Sequence, residues 1–399
     1  MMFKTGIIKL TAICNLNCDY CYMFNLSDKT YLEMPKMMSP EIACLVVERI
    51  VAYLKSRGER DFLLCLHGGE PTLWRQEYFK SLFEMISSQN RKGCNIDVSL
   101  QTNLYKLPSR SCLDLFRDNG IRFGISVDGP QIYNDQHRFT FNGYGSYARI
   151  MRNVELLKNQ GYGDLIGGFL CVANPEIPPE EFWAWVKTLP VTRLDVLWPI
   201  EFNEGNPPWH HNGKLAYSVR PLFGDWFAKL FKLWWDEDDP RLYVRLFDHL
   251  VKIFLAGHGS EHVDFLVNDQ VNMFVVNTDG SIEYPDYLRA SSDGSVKTGL
   301  NIAANTLDEL HDDKVFQSLL TLKDFLPQDC KSCFFREICG GGFLPGRAVP
   351  GALISSERSV LCEDQLWFFQ IAFDLVYGRV SVSSNPGEYS RAIPLFATI

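Results

Sequence analysis

The sequence has no run of about 18 apolar residues, so no helical membrane span is expected. Its opening residues, MMFKTGIIKL, are too short and too interrupted for a secretory signal, and a cytoplasmic location is expected. No long basic run occurs, and 39 Lys and Arg stand against 48 Asp and Glu for a net charge of −9. That balance argues against sequence-independent nucleic-acid binding, which needs positive charge. Internal repeats and low-complexity tracts are also missing, which sets aside collagen-like, coiled-coil and disordered chains. What is present is a globular composition: 399 residues, 46% hydrophobic and 22% charged, enough for two or three domains. Cysteine is the informative residue. There are 12, and seven fall in two groups. Without a secretory signal, clustered cysteines point to metal or redox chemistry more than to disulfides.

The first half alternates short apolar runs with helical patterns. Strands are expected at Gly6–Thr11, Phe62–His67, Ile96–Gln101, Arg122–Val127, Leu165–Val172 and Leu194–Pro199. Helices are expected between them, at Pro40–Arg57, Gln76–Gln89, Ser111–Asn119, Ser146–Gln160 and Pro179–Leu189. Repeated strand–helix order implies a parallel sheet, and about six units suit a partial (β/α)6 TIM-like barrel. Chemistry then belongs at the carboxyl ends of the strands, where Cys14–Cys21, Gly68–Pro71, Gln101–Asn103 and Ser126–Pro130 lie. After about residue 203 the pattern changes. NPPWHH (206–211) reads as a loop, Leu222–Asp236 and Arg241–Leu255 as helices, and Val271–Asn277 with Ser281–Tyr287 as a hairpin turning at Asp279–Gly280.

Cys14, Cys18 and Cys21 have the spacing C-x3-C-x2-C. Three thiolates on one short loop suit three irons of a [4Fe–4S] cluster and leave one iron open for a ligand, whereas a structural zinc site closes with four donors. Spacing alone leaves a zinc loop open. With Tyr22 after the third cysteine, the motif resembles the signature of the radical SAM superfamily. The resemblance implies that the open iron chelates S-adenosylmethionine, whose reductive cleavage yields a 5′-deoxyadenosyl radical. It also assigns the rest of the cofactor site. Gly68, Gly69, Glu70 and Pro71 match the family's GGEP element, with Glu70 near the methionyl ammonium. Asn103 and Ser126 match positions contacting the ribose or methionyl group. Asp128 matches a family acid that is a ligand contact or an Arg partner, and Arg138 an Arg that pairs with the cofactor carboxylate.

Cys330, Cys333 and Cys339 form C-x2-C-x5-C, followed by Cys362 and accompanied by Gly340, Gly341 and Gly342. Four cysteines close a complete site, for zinc or for iron–sulfur. The three glycines permit a tight turn whose N–H groups face sulfur. Here the chain resembles the SPASM/twitch extension of radical SAM peptide maturases. Pro285 and Phe343 stand where two-cluster members carry cysteines, so one auxiliary [4Fe–4S] cluster is expected, on Cys330, Cys333, Cys339 and Cys362. The resulting division is 1–215 for the barrel, 216–265 for a helical bridge and 266–399 for the auxiliary-cluster domain.

VVNTDGSIEYPDYLRA, TGLNIA and CGGGFLPGR further resemble the cyclophane-forming (triceptide) maturases, with a departure at Leu344–Arg347. This resemblance implies a carbon–carbon cross-link between an aromatic ring and an unactivated β-carbon of a ribosomal precursor peptide, with reducing electrons from a flavodoxin- or ferredoxin-type donor. Asp286, on the hairpin after Gly280, is the candidate base, since an ordinary carboxyl is already ionised at neutral pH. No leader-binding module is expected ahead of the first cluster, so leader recognition is expected on another surface, on a separate protein, or without any such module. His67 reads as a backbone orienter, His210 and His211 as loop residues, and Trp226, Trp234 and Trp235 as core. Cys44, Cys65, Cys94, Cys112 and Cys171 read as buried thiols. Other SPASM modifications stay open, namely thioether formation, epimerisation, hydroxylation and formylglycine formation, the last disfavoured by the replaced cysteines. A non-catalytic zinc or redox scaffold is the alternative of another class.

Overall fold

The computed structural model describes residues 2–191, 193–208, 221–257, 266, 272–320, 326–348 and 357–378. His210, His211, Val271 and the tail 381–399 lie outside the described residues. By internal contacts the chain divides into two compact units, residues 1–171 with 270–321 and residues 172–269 with 322–399. This division follows other lines than the boundaries at 215 and 265: the hairpin region belongs with the first strands rather than with the second cysteine group.

The first unit is built on strands β1 (Thr5–Thr11), β2 (Asp61–Gly68), β3 (Asn95–Thr102), β4 (Arg122–Ser126) and β5 (Ile166–Val172), each paired in parallel with the next. Helices α1 (Pro40–Ser56), α2 (Gln76–Asn90), α3 (Arg110–Asp118), α4 (Gln131–His137) and α5 (Tyr147–Asn159) fall between them. The α/β class and the parallel sheet are as the sequence implies. Local chemistry explains the starts. Ser39 caps α1 by accepting the Ile42 N–H at 3.3 Å, with Pro40 in the first turn, and Ser109 caps α3 in the same way. Helix α1 then buries Val46, Val47, Ile50 and Leu54, with Ile42 and Leu45 half-buried beside them. Phe79, Phe116 and Phe123 interlock edge to face between helices and sheet, at 5.0 and 5.5 Å.

The hairpin does more than the sequence indicated. Strand β6, counted here within the second unit, is Arg193–Leu197; β7 is Tyr243–Val244 and pairs with it in parallel. The hairpin strands β8 (Met273–Val276) and β9 (Ser281–Glu283) turn at Gly280, which has φ +84°. Strand β8 lies parallel against β1, with Ile7 opposite Val275, and β10 (Lys297–Asn301) continues the sheet beyond β9. Strand β9 stops short of the expected Tyr287. Pro285 has no N–H to give to a ladder, and Asp286–Ala290 wind into a 3-10 turn instead. Short helices α9 (Leu307–His311) and α10 (Lys314–Leu320), in the first unit, follow β10.

In the second unit, α6 (Pro179–Val186), α7 (Leu222–Glu237), α8 (Arg245–Ala256), α11 (Arg336–Cys339) and α12 (Cys362–Val376) surround an aromatic core. The expected helix from Arg241 starts instead at Arg245, because Tyr243 and Val244 pair with β6. Trp198 stacks on Phe227 at 4.2 Å, and Phe368 packs against Phe227, Phe231 and Phe247. Trp226 is core, its indole N–H donating to the Ile177 carbonyl, whereas Trp234 and Trp235 are half-buried. A Cβ at Gly224 would lie 2.3 Å from the Asp364 carbonyl oxygen, so α7 and α12 touch there only because residue 224 is glycine. No helix among the described residues is long and apolar enough to cross a membrane.

Candidate active site

The loop after β1 carries Cys14, Cys18 and Cys21, all half-buried. Backbone turns shape it: Cys21 N–H donates to Cys18 O, and the Cys21 carbonyl accepts from Phe24, Asn25 and Leu26. Burial raises the Cys14 thiol to about 12, helped by the Glu70 carboxylate, and raises Cys18 to about 11. Free thiols here stay protonated, so bound iron cations would be what makes them thiolates. Donors are already aimed at Cys14 Sγ, from the Leu16 N–H at 3.4 Å and Asn103 Nδ2 at 3.5 Å.

The Gly68–Pro71 element meets this loop, for a different reason from the one expected. A Cβ on Gly69 would lie 2.2 Å from the Ile13 carbonyl oxygen, and one on Gly68 2.5 Å from that of Thr11. The glycines therefore let the end of β2 lie against the end of β1, rather than only admitting a ligand. Gly69 and Glu70 N–H groups donate to the Thr11 and Ile13 carbonyls at 2.8 and 2.9 Å. Glu70 is buried and fully engaged. One carboxylate oxygen accepts from Thr72 N–H, Thr72 Oγ1 and Thr102 Oγ1, the other from Asn103 N–H at 2.8 Å. It locks the ends of β2 and β3 together. Pro71 begins the single 3-10 turn that follows.

Ser126 accepts from Gln101 Nε2 at 2.8 Å. Asp128 accepts from the Tyr20 hydroxyl, which also receives Arg138 Nη1 at 2.8 Å, and Arg138 Nη1 lies 3.9 Å from Asp128 Oδ2. Tyr20 thus stands between the two charges, a link that the sequence gave no sign of. Here Arg138 Nε and Asn15 Nδ2 are buried donors with no partner among the described residues. A guanidinium N–H left open at a buried site fits a carboxylate-bearing ligand such as S-adenosylmethionine.

Asp286 enters this region because β8 pairs with β1. It is buried and ion-paired with Lys9, itself wholly buried in β1. The Tyr22 hydroxyl donates to Asp286 Oδ2 at 2.7 Å, and Lys9 Nζ donates to Tyr22 Oη at 3.1 Å and to His67 Nδ1 at 3.3 Å. The β1–β2 register sets Lys9 opposite His67. An ammonium only donates, so His67 Nδ1 accepts and its proton sits on Nε2. Burial pushes the Asp286 carboxyl up, but the Lys9 cation, then His67 and the Tyr22 hydroxyl, bring it below its ordinary value. Burial, reinforced by Lys9, takes His67 down to about 3. The group is an ionised carboxylate beside a neutral imidazole. Lys9 was not anticipated, since a lone lysine inside an apolar strand looks like an interruption. Behind it, Arg289 pairs with Glu283 at 2.5 Å and with Asp28, all buried, and Thr30 Oγ1 accepts from Arg289 Nη1 at 2.7 Å.

In the second unit, Cys330, Cys333, Cys339 and Cys362 line one recess with Arg336, Gly341 and Gln365. Its empty space is about 320 Å3, open solvent at the mouth included. Gly340, Gly341 and Gly342 have φ of +59°, +88° and +89°, the tight turn expected, and the Gly342 N–H donates to the Cys339 carbonyl at 3.0 Å. Burial raises the Cys339 thiol, and raises Cys362 to about 11. Gln365 Nε2 is a buried donor with no partner. Four thiols and an open amide donor around one recess suit an anionic cluster. Among the described residues no three Cys, His, Asp or Glu are arranged around one point to hold a single ion, which is the geometry a zinc site requires. Of the remaining cysteines, Cys112 and Cys171 are buried as expected, but Cys44, Cys65 and Cys94 are half-buried.

Comparison with known proteins agrees with this geometry. The sequence model of the Radical SAM superfamily matches residues 8–189. The chain is 28% identical over 382 residues to a cysteine-type anaerobic sulfatase-maturating enzyme of Clostridium perfringens, covering 93% of this chain and 96% of that one. It is 27% identical over 376 residues to a serine-type anaerobic sulfatase-maturating enzyme of Bacteroides thetaiotaomicron, covering 90% and 86%. The solved structure of native anSMEcpe with bound AdoMet superposes with a TM-score of 0.77 at 25% identity, covering 94% and 98%.

Proposed function

We propose that this radical SAM enzyme, a peptide-modifying one, oxidises its substrate at the β-carbon of one side chain. Cys14, Cys18 and Cys21 hold a [4Fe–4S] cluster, and Arg138, Asp128, Asn103 and Ser126, on a frame fixed by Gly68, Gly69, Glu70 and Pro71, hold S-adenosylmethionine. When bound, cluster and cofactor supply the 5′-deoxyadenosyl radical that takes one hydrogen atom from the substrate. The remaining change is the loss of one proton and one electron. Asp286 takes the proton: it is ionised, and Lys9 and Tyr22 fix its orientation. Cys330, Cys333, Cys339 and Cys362 would hold an auxiliary cluster, which would supply the electron acceptor. The observation that carries this reading is the buried Lys9–Tyr22–Asp286 group, joined to the cysteine loop through Tyr22, the residue next to Cys21.

The relatives support a Cys or Ser side chain as the site of oxidation, giving the aldehyde of formylglycine directly from Ser, and from Cys through a thioaldehyde that water hydrolyses with release of hydrogen sulfide. Cysteine-type and serine-type relatives match almost equally, at 28% and 27%, so they do not choose between the two. Cyclophane formation is the second reading, favoured by Pro285 and Phe343 in place of cysteines. The test is anaerobic turnover, with reductant and S-adenosylmethionine, of peptides bearing Cys, Ser, or an aromatic residue near the target position. Formylglycine formation predicts a product that reacts with a hydrazide probe. Cyclophane formation predicts loss of two hydrogens, no hydrazide reaction and a substituted ring. Reconstituted enzyme that releases no 5′-deoxyadenosine with any peptide would sink both.

A further inference from the structure

Gln365 sits on α12, one turn after Cys362, with its side chain 1% exposed. It faces the cysteine recess, and its two amide atoms are unequally placed. Oε1 is 3.5 Å from Cys339 Sγ, a contact in which the thiol donates. Nε2 is buried and has no acceptor among the described residues. A buried amide N–H left unmade is costly, so the site is unfinished as a protein interior.

Loading the recess changes the sulfur. A cysteine bound to iron has no S–H, so it can no longer donate to Oε1. An amide oxygen would then face an anionic sulfur while the amide donor stayed unused. Exchange of the two ends by rotation of the terminal amide costs no volume, because O and NH2 are nearly the same size. It removes the repulsion and makes an N–H···S bond at the same separation.

Resting on the auxiliary-cluster reading, we propose that Gln365 donates its side-chain N–H to the Cys339 thiolate and so sets the potential at which the auxiliary cluster accepts an electron. Gln365 is a positioning and tuning residue that touches a ligand of the cluster. Hydrogen bonds to cluster sulfur stabilise the more negative, reduced state, so they raise the reduction potential. The sequence hides this role, since a glutamine three residues after a cysteine looks like a solvated helix position.

The experiment uses the full chain carrying Cys14→Ala, Cys18→Ala and Cys21→Ala, so that only auxiliary iron contributes. With the glutamine side-chain amide labelled with 15N, pulsed EPR of the reduced cluster is expected to show a coupled amide nitrogen. In Gln365→Met, of similar length and without a donor, the coupling is expected to vanish. The midpoint potential should shift negative there and further negative in Gln365→Glu, at unchanged iron content. An intact cluster with no 15N coupling in the unsubstituted Gln365 chain would overturn the role of Gln365, however the variants behave. So would a midpoint potential that is the same in all three. A triple variant that takes up no iron at all would overturn the auxiliary-cluster reading, and the role of Gln365 with it.

Discussion

Asp286 is a carboxylate held ready by three neighbours, and the two kinds of work it does can be separated. Asp286→Asn keeps the volume and most contacts but cannot take a proton. It is expected to release 5′-deoxyadenosine at close to the unsubstituted rate while product falls by at least about a hundredfold, the lower end of the usual range for a lost general base. Product per cofactor cleaved, read by mass spectrometry, is the measurement; full yield would remove Asp286 from the chemistry. His67 gives a pH prediction at the same scale. Its folded value is lowered from 6.5 to about 3 by burial and by Lys9, with Asp286 opposing. Between those values the unfolded chain binds a proton that the native chain refuses, so stability falls as pH drops through that window. The slope has a ceiling of about 1.4 kcal/mol per pH unit, lowered by the solvent the half-buried ring still meets. His67→Gln removes the titration, and denaturant midpoints measured across the window should fall less steeply with acid. Equal slopes would show that His67 is already protonated or solvated. The cysteine spacing and the Gly-Gly-Glu-Pro run were legible one residue at a time because each is local. Lys9 was not, since its partners lie 13, 58 and 277 positions along the chain.

Elements were legible where a period or a punctuating residue marks them. The strands β1 to β5 and the helices α1, α2, α3 and α5 fall within a few residues of their patterns, and the Asp279–Gly280 pair marked the hairpin; α4, only Gln131–His137, was not expected. Its neighbour did not show, because an apolar run specifies a strand but not which edge it joins. Once β8 is placed along β1, the turn Asp286–Ala290 must be fixed, and Arg289 fixes it. The guanidinium is wholly buried between Glu283 and Asp28, with Asn277 also donating to Glu283 at 2.8 Å. Arg289→Met would leave two buried carboxylates without their cation, a loss of about 3–5 kcal/mol of stability. If the turn loosens as well, product yield per 5′-deoxyadenosine should fall although no residue of the cofactor site has changed. Denaturant unfolding and the product ratio together test this. A variant as stable as the parent would mean that Asp28 and Glu283 take up protons at little cost.

For the whole molecule the question is how the two cysteine groups divide the work. They lie in different compact units, so each can be emptied without removing a ligand from the other. Two four-iron clusters predict about eight irons per chain, and replacing Cys330, Cys333, Cys339 and Cys362 with Ser should leave about four. That chain keeps Cys14, Cys18, Cys21 and the cofactor site, so it should still release 5′-deoxyadenosine. It has lost the acceptor for the substrate's electron, so cleavage should continue with product falling sharply. Replacing Cys14, Cys18 and Cys21 should give the reverse: about four irons again, but neither cleavage nor product. Zinc in the second group would give a different count, about four irons and one zinc in the unsubstituted chain, and would leave the electron without an acceptor there. Iron, zinc and sulfide analysis beside the ratio of product to 5′-deoxyadenosine therefore distinguishes a redox second unit from a structural one. Unchanged product in the chain without the four later cysteines would place the electron acceptor elsewhere.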